Sequence, residues 1–320
     1  MKNFYFEKQH DGSYFMMLFG KLFSSRKKYD RIYSRRFDGL SHEDLKFCIR
    51  EQYKKSFEKY PNLENPKTFQ EKLAWLKLYY FNPLMTICAD KVKARDYFVE
   101  KVPTAKDKLV KQYGVYKTPE EIDFESLPNE FVLKSNWGSG HQIIVKNKAD
   151  FNISEAKEVM KKWMNRKSNH YFMAFENGYK NIEPRIVCEE FLDFEYKLEF
   201  FCFNGEPKFF WIVKNDKTKE VQANFYDLNW LRMPITNKYP NFEETVEKPV
   251  CYEEILENAK KMCGDFPFVR CDFYVTKDSY RFSEMTYYHW AGLQSFIPCS
   301  YNEYFGELMT LPKQNGGNRG

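Results

Sequence analysis

The chain contains no C-x-x-C pair, no H-x-x-x-H spacing and no D-x-D triplet. Its five histidines are scattered, and so are its eight cysteines, Cys48, Cys88, Cys188, Cys202, Cys251, Cys263, Cys271 and Cys299. Most of those cysteines sit among apolar neighbours, so they read as small hydrophobes in a reducing compartment rather than as disulfides or zinc ligands. No stretch approaches the roughly 20 apolar residues that a membrane span needs. Nor is there a cationic start followed by an apolar core and a small-residue cleavage site. The expected location is therefore cytoplasmic, with the inner face of the membrane left open. No internal repeat is found, and no serine or cysteine nucleophile with its base can be picked out.

What is present is an ordinary folded composition, 43% hydrophobic and 30% charged, in 320 residues. That length can bury a large core, in one large domain or two closely packed ones. Aromatics are plentiful at 19% and concentrate in strand-like runs such as residues 198–203 and 209–213. They imply thick sheets packed by rings, or a face that stacks on sugars or bases. The net charge of +5 is too mild to argue for nucleic acid. The excess is uneven: residues 21–36 carry Lys21, Arg26, Lys27, Lys28, Arg31, Arg35 and Arg36 against the single acid Asp30. Beside the apolar run at 15–19, this segment reads either as a solvated helix face or as a contact for an anionic membrane surface or polyanion.

Residues 1–65 read as helical and polar, with Ser41 capping a helix whose first turn holds Glu43 and Asp44. Thr68 caps a second helix in which Phe69, Leu73 and Leu76 recur at helical spacing. Asn82-Pro83 is expected to end that helix, and a further one to run over about 87–102. Strands then take over. Residues 130–134 and 142–146 form a hairpin around Gly138 and Gly140, followed by a helix over 154–166 and a buried strand over 185–192. Asn204-Gly205 is a hairpin turn between strands 197–203 and 206–213, since both residues tolerate positive φ. Residues 252–262 form an amphipathic helix, 268–275 and 280–285 a last strand pair, and the tail from Pro312 is expected to be disordered.

The glycine loop fits none of the common phosphate motifs. A Walker loop ends in Gly-Lys-Ser/Thr, whereas Lys134 precedes the glycines here. A dinucleotide fingerprint needs a third glycine where this chain has Ile143, and it needs a helix where a strand follows. The kinase glycine loop is flanked by strands, but no H-R-D or D-F-G triplet exists in the chain. What remains is a hairpin loop whose glycines let backbone amides approach phosphate oxygens, with the Lys134 ammonium to neutralise them. An ordinary flexible hairpin has the same composition.

A second constellation lies near the other end of the chain. Asp272 and Glu284 interrupt two apolar strands across a turn near residues 277–279. Alternation and antiparallel pairing would set the two carboxylates side by side, and a cation between them relieves their repulsion. Magnesium suits such a pair, because it takes one or two carboxylates and completes its shell with phosphates. Arg270 projects from the same strand face as Asp272 and would serve a phosphate or a developing oxyanion. A surface salt-bridge trio is the plainer alternative, although the apolar neighbours favour burial.

Taken in order, these stretches resemble the ATP-grasp superfamily and, more narrowly, its TupA-like branch, named for a teichuronopeptide-synthesis protein. The resemblance covers roughly residues 65–310. It rests on Thr68-Phe-Gln-Glu-Lys-Leu-Ala-Trp-Leu-Lys-Leu-Tyr79, Asn82-Pro83, Ala89-Asp-Lys91, Phe131-Val-Leu-Lys134 with Gly138-Ser-Gly140, and Glu189-Glu-Phe-Leu192. Phe203-Asn-Gly-Glu-Pro207, Phe225-Tyr-Asp-Leu-Asn-Trp230, Phe266-Pro-Phe-Val-Arg-Cys-Asp272 and Phe282-Ser-Glu-Met-Thr286 complete the set. It implies an α+β ATP-grasp fold, two α+β subdomains clasping ATP, behind a helical N-terminal region. The expected divisions are 1–85 (helical), 86–188 (the subdomain with the glycine-rich hairpin), 189–311 (the subdomain with the metal-binding strands) and 312–320 (the tail).

The resemblance also implies roles. Lys91 and Lys134 would hold the α- and β-phosphates of ATP, with Gly138, Ser139 and Gly140 as the flap over them. Glu189, Glu190, Phe191 and Leu192 would form the hinge that reads the adenine edge and ribose. Asp272, Glu284 and Thr286 match the Mg2+ positions, although most of the superfamily has asparagine where Thr286 stands, which leaves a second Mg2+ in doubt. Arg270 matches an arginine that steadies the transferring phosphoryl group or tetrahedral intermediate, so Arg270 and Lys134 are the expected catalytic residues. The branch usually reads acid-x-lysine where this chain has Lys197-Leu-Glu199, so no role is carried over to that pair.

The implied activity is an ATP-dependent carboxylate–amine ligase that forms an amide through an acylphosphate. Its implied substrates are a uronic-acid sugar or glycan and an amino acid or amine, in surface polysaccharide or capsule biosynthesis, with peripheral contact to membrane or capsule-assembly proteins. His289 and Trp290 would face the acceptor, Trp290 stacking on a sugar ring, or else belong to a packed loop. An ATP-grasp kinase acting on a sugar or glycan hydroxyl remains open. A glycosyltransferase would favour a D-x-D triplet, which is missing, and a non-catalytic scaffold would have no need of both lysines and both acids.

Overall fold

The computed structural model describes the backbone of residues 6–8, 14–16 and 21–25 and all atoms of residues 26–216 and 220–313. The chain divides into two compact units, residues 1–60 and 61–320. In the first unit a short antiparallel strand pair, β1 (Phe6–Lys8) and β2 (Tyr14–Met16), precedes the helices α1 (Lys21–Ser34) and α2 (His42–Phe57). Helices dominate as expected, but the strand pair departs from a wholly helical reading. Residues 17–19 of the apolar run and the tail from residue 314 lie outside the described residues. The basic segment is helical, and Arg36 stacks on the Tyr33 and Phe37 rings at 3.8 and 4.2 Å. Ser41 caps α2 by accepting the Asp44 amide, and Leu45, Cys48, Ile49 and Tyr53 form its buried stripe.

The second unit opens with three helices, α3 (Phe69–Tyr79), α4 (Pro83–Ala89) and α5 (Lys93–Lys101). Thr68 caps α3 in a full capping box with Glu71. Two sequence expectations need correction here. Asn82-Pro83 does not end α3, which stops at Tyr79; the Asn82 side chain accepts the Leu84 amide and starts α4, with Pro83 in its first turn. The helix expected over 87–102 is two helices, because the Asp90 carboxylate turns away to accept the Val92 amide and the Asn136 side chain. That break carries Lys91.

Two antiparallel sheets follow. The first runs in the order β3 (Gln112–Tyr116), β6 (Ile186–Glu190), β4 (Phe131–Ser135), β5 (Gln142–Val145), with the helices α6 (Ile153–Trp163) and α7 (His170–Ala174) between β5 and β6 in the chain. Phe131, Leu133, Val145, Ile186 and Cys188 pack with Met160 and Trp163 of α6 in its core. The second sheet adds β7 (Tyr196–Phe203), β8 (Glu206–Lys214), β9 (Gln222–Asp227), β10 (Phe268–Val275) and β11 (Tyr280–Thr286) in the order β11-β10-β7-β8-β9. The helix α8 (Tyr252–Cys263) precedes β10, and α9 (Ser300–Glu307) closes the unit.

Both faces of the second sheet are covered, which is why every residue of β7 is buried. Phe200 and Phe210 meet Tyr252 of α8 on one face. Phe203 and Phe209 meet Phe69 of α3 and Phe305 of α9 on the other. The plentiful rings are thus core. The turn expected at Asn204-Gly205 has the required left-handed backbone, with φ of 49° and 84°. No helix among the described residues is long and apolar enough to cross a membrane.

Candidate active site

Strand alternation puts one set of polar side chains on a single face of the second sheet. The ladder pairs Asp272 with Glu284 and with Glu199, Arg270 with Thr286, and Tyr274 with Lys197. Residues two apart share a face, so Lys197, Glu199, Arg270, Asp272, Tyr274, Glu284 and Thr286 lie on one side of three neighbouring strands. Alternation predicts the Asp272–Glu284 pairing, and the register brings it about. Thr286 is within 3.5 Å of the Arg270 guanidinium through its hydroxyl.

The first sheet contributes the lysine and the loop. Lys134 is the penultimate residue of β4, where the hairpin register pairs it with Gln142. Its ammonium is 2.7 Å from the Glu189 carboxylate and 5.8 Å from the Tyr274 ring of the other sheet. Gly140 takes a φ of 72°, which a side chain would strain, and a Cβ on Gly138 would meet the His141 ring at 2.3 Å. Lys91 reaches the loop from the break between α4 and α5, donating to the Gly138 carbonyl at 3.0 Å and pairing with Glu284 at 3.0 Å.

Lys91, Lys134, Gly138, Ser139, Gly140, Glu189 and Glu284 line one cleft between the two sheets. Arg270 and Asp272 do not line it; Asp272 is fully buried just beneath, held by two hydrogen bonds from the guanidinium at 2.8 and 2.6 Å. Glu190, Phe191 and Leu192 are also absent from the lining. Glu190 instead accepts the Lys111 amide at 2.8 Å, and Phe191 and Leu192 lie on the segment that joins β6 to β7 and so links the sheets.

Several lining residues escaped the sequence reading. Arg95 stands 3.7 Å from Glu189. Lys197 is buried, pairs with Asp216 at 3.1 Å and Glu199 at 3.6 Å, and faces the cleft beside Tyr274. Burial disfavours the Lys197 charge, but Asp216, Tyr274 and Glu199 together raise its pKa well above the ordinary value. The same contest, with Tyr274 and Glu189 opposing burial, raises Lys134. Both stay charged. His289, which the sequence leaves between the acceptor and a packed loop, is buried, and its ring nitrogens face Arg270 and Asn237.

The donors fit the implied magnesium. Burial raises the Asp272 carboxyl to about 7, Glu199 and Glu284 add to the rise, and Arg270 opposes it. That crowding of carboxylates is relieved by a hard divalent cation. Arg270 engages one lone pair on each Asp272 oxygen, which leaves both oxygens with acceptor capacity. Among the described residues no group of three or more acidic, histidine or cysteine side chains is placed to hold a metal alone. The set therefore suits an ion that shares its shell with water and phosphate.

The chain is similar in structure to D-alanine–D-alanine ligase from Bacillus anthracis complexed with ATP, at 13% identity, covering 72% of this chain and 64% of that one, with a TM-score of 0.38. It is similar to N5-carboxyaminoimidazole synthetase from Staphylococcus aureus complexed with ADP, at 13% identity, 86% and 60% coverage and a TM-score of 0.38. The ATP-grasp ligase PsnB complexed with a precursor peptide and AMPPNP matches at 10% identity, 70% and 59% coverage and a TM-score of 0.36. This chain spans less than two thirds of each of those chains. No curated protein matches it in sequence. The model of the TupA-like ATPgrasp family matches residues 71–310, and the chain belongs to that family.

Proposed function

We propose that the chain is an ATP-dependent carboxylate–amine ligase working through an acylphosphate. Family membership supports the use of ATP and Mg2+. The observation that carries the reading is the meeting of Lys91, Lys134, the 138–140 loop and Glu284 on one cleft, with Arg270 and Asp272 directly behind. Phosphoryl transfer needs positioning and charge neutralisation more than covalent help from the protein, and this inventory supplies both. Residues 86–188 and 189–311 are proposed as the two subdomains that clasp the nucleotide.

In this reading a substrate carboxylate oxygen attacks the γ-phosphorus, the bond to the β-phosphate oxygen breaks, and ADP leaves. An amine then adds to the acyl carbon, phosphate departs, and the nitrogen loses a proton to give the amide. Lys91 and Lys134 exchange their carboxylate partners for phosphate oxygens, and the loop amides close over them. Arg270 keeps an uncommitted hydrogen on NH1 for the transferring group or the oxyanion. Magnesium, held by Asp272 and Glu284, would neutralise charge on the phosphates. Glu189, Glu190, Phe191 and Leu192 are proposed to border the adenine and ribose. The family resemblance supports a uronic-acid sugar or glycan as the carboxylate and an amino acid or amine as the partner.

The test combines the protein, ATP and Mg2+ with a panel of uronic acids and amino acids, following free phosphate together with product mass. Phosphate release with the mass of one condensation supports the ligase. A phosphoryl mass gain without free phosphate replaces it with a kinase, and nucleotide-sugar consumption without ATP removes both.

A further inference from the structure

His289 is 2% exposed and lies among Phe201, Trp211 and Phe296, with ring centroids 4.8, 5.2 and 6.1 Å away. An apolar ring would fill that slot equally well. What the imidazole adds is two polar contacts: Nδ1 is 2.9 Å from Arg270 NH1, and Nε2 is 3.0 Å from Asn237 Oδ1. The Asn237 amide is itself oriented, since its Nδ2 donates to the Ser295 carbonyl at 2.8 Å.

These contacts leave one proton arrangement. Guanidinium only donates, so Nδ1 accepts; the ring proton is then on Nε2 and donates to Asn237. Donation thus runs from Arg270 NH1 to His289, from His289 to Asn237, and from Asn237 to the Ser295 carbonyl. The other end of the same guanidinium is gripped by Asp272 and Glu199. Burial and the adjacent Arg270 both disfavour a charged imidazole. The backbone beyond His289 is strained in support: Trp290, Ala291 and Gly292 have φ of 49°, 55° and 66° in succession. Left-handed backbone at the first two positions costs free energy and tends to gather at functional sites. The buried Lys77 ammonium pins this segment by donating to the Ala291 carbonyl at 2.7 Å.

We infer that His289, set by Asn237, is a positioning residue that fixes the plane of the Arg270 guanidinium for the transfer step. The inference rests on the proposed reading of Arg270 as the cation at the transferring group. It predicts a loss in kcat that is separable from packing and from nucleotide binding.

Two variants test it. His289→Phe keeps an aromatic in the slot but removes both polar contacts, while His289→Gln keeps one acceptor and one donor. In His289→Phe we expect kcat to fall about 30-fold or more and the melting temperature to drop, since buried Asn237 and Arg270 each lose a partner, with the affinity for ADP near that of the wild type. His289→Gln should recover at least about a third of the lost orders of magnitude. Equal losses of stability and activity in both variants would overturn the inference, as would full kcat in His289→Phe. If the wild-type protein shows no ATP-dependent turnover, the ligase reading fails, and 15N spectra of labelled histidine and arginine judge the positioning separately. A bare Nδ1 with a protonated Nε2, and Arg270 N–H exchange that speeds up in His289→Phe, uphold it. The opposite tautomer or unchanged exchange refutes it.

Discussion

The Lys91 ammonium and the Glu284 carboxylate lie 3.0 Å apart in the lining of the cleft. This pair is one of a series: Lys134 meets Glu189, Arg270 meets Asp272 and Glu199, and Lys197 meets Asp216. Neighbouring cations repel one another, and each is held here by a carboxylate; on the proposed reading those partners exchange for a phosphate oxygen or a metal. Removing one buried partner leaves the other charge uncompensated, so the two sides of each pair should respond differently to nucleotide.

Glu284→Gln separates those responses. Lys91 loses its competing carboxylate, so ADP without magnesium should bind as well as to the wild type or better. The magnesium complex loses one of its two carboxylates, and its affinity should fall about tenfold or more. Calorimetry with and without Mg2+ reads both numbers. Unchanged affinity for magnesium ADP would remove Glu284 from the metal site.

Asp272 gives a pH dependence with a definite sign. Its folded-state pKa is about 7 against an ordinary value of 3.8. The folded protein therefore holds a proton that the unfolded chain releases between those values. The stability linked to this proton is fully present below about pH 4 and is lost as the pH rises through about 7. Magnesium competes with the same proton, so its binding strengthens as the pH rises. The increase in melting temperature caused by magnesium ADP should be larger at pH 8 than at pH 5.5. It should be small at both in Asp272→Asn. A pH-independent increase in the wild type would contradict the assignment.

The site was most legible in the sequence where a local rule decides position. Period-2 alternation set Arg270 and Asp272 on one face and led to the Asp272–Glu284 pairing. Turn chemistry marked Asn204-Gly205, and capping chemistry marked Ser41 and Thr68. Legibility failed where distant segments decide. The bend at Asp90 depends on Asn136, 46 residues away. Lys197 and Tyr274 join the cleft from the second sheet and Arg95 from α5, so only the tertiary packing brings them together. The choice for His289 between an acceptor contact and a packed loop stays open in the sequence because its partner Asn237 lies 52 residues earlier.

Lys134→Ala should abolish turnover, at least 10²-fold, while leaving the chain folded. The variant removes the 2.7 Å partner of Glu189, but Arg95 stays 3.7 Å from the other oxygen of that carboxylate. The Glu189 charge is thus still compensated, and a modest drop in melting temperature is expected. Phosphate release and circular dichroism on the same preparation distinguish the two effects. Full activity in the folded variant would refute Lys134 as a phosphate ligand.

Glu71→Ala tests a structural role that the capping pattern alone understates. One Glu71 oxygen accepts the Asn62 amide at 3.1 Å, and the other accepts the Lys67 and Thr68 amides at 3.0 and 3.2 Å. The residue is buried, and its loss takes the acceptor from the amides of Asn62, Lys67 and Thr68 in the segment leading into α3. A fully buried stranded donor costs about 1–3 kcal/mol, and these three are part-buried, so water offsets part of that cost. A net loss of about 2–4 kcal/mol is expected in urea unfolding. Glu71→Gln keeps one oxygen as an acceptor but turns an NH2 group toward the remaining donors, so it should recover only part of that loss. If alanine costs under about 0.5 kcal/mol, water already satisfies these amides and Glu71 does not anchor the helix.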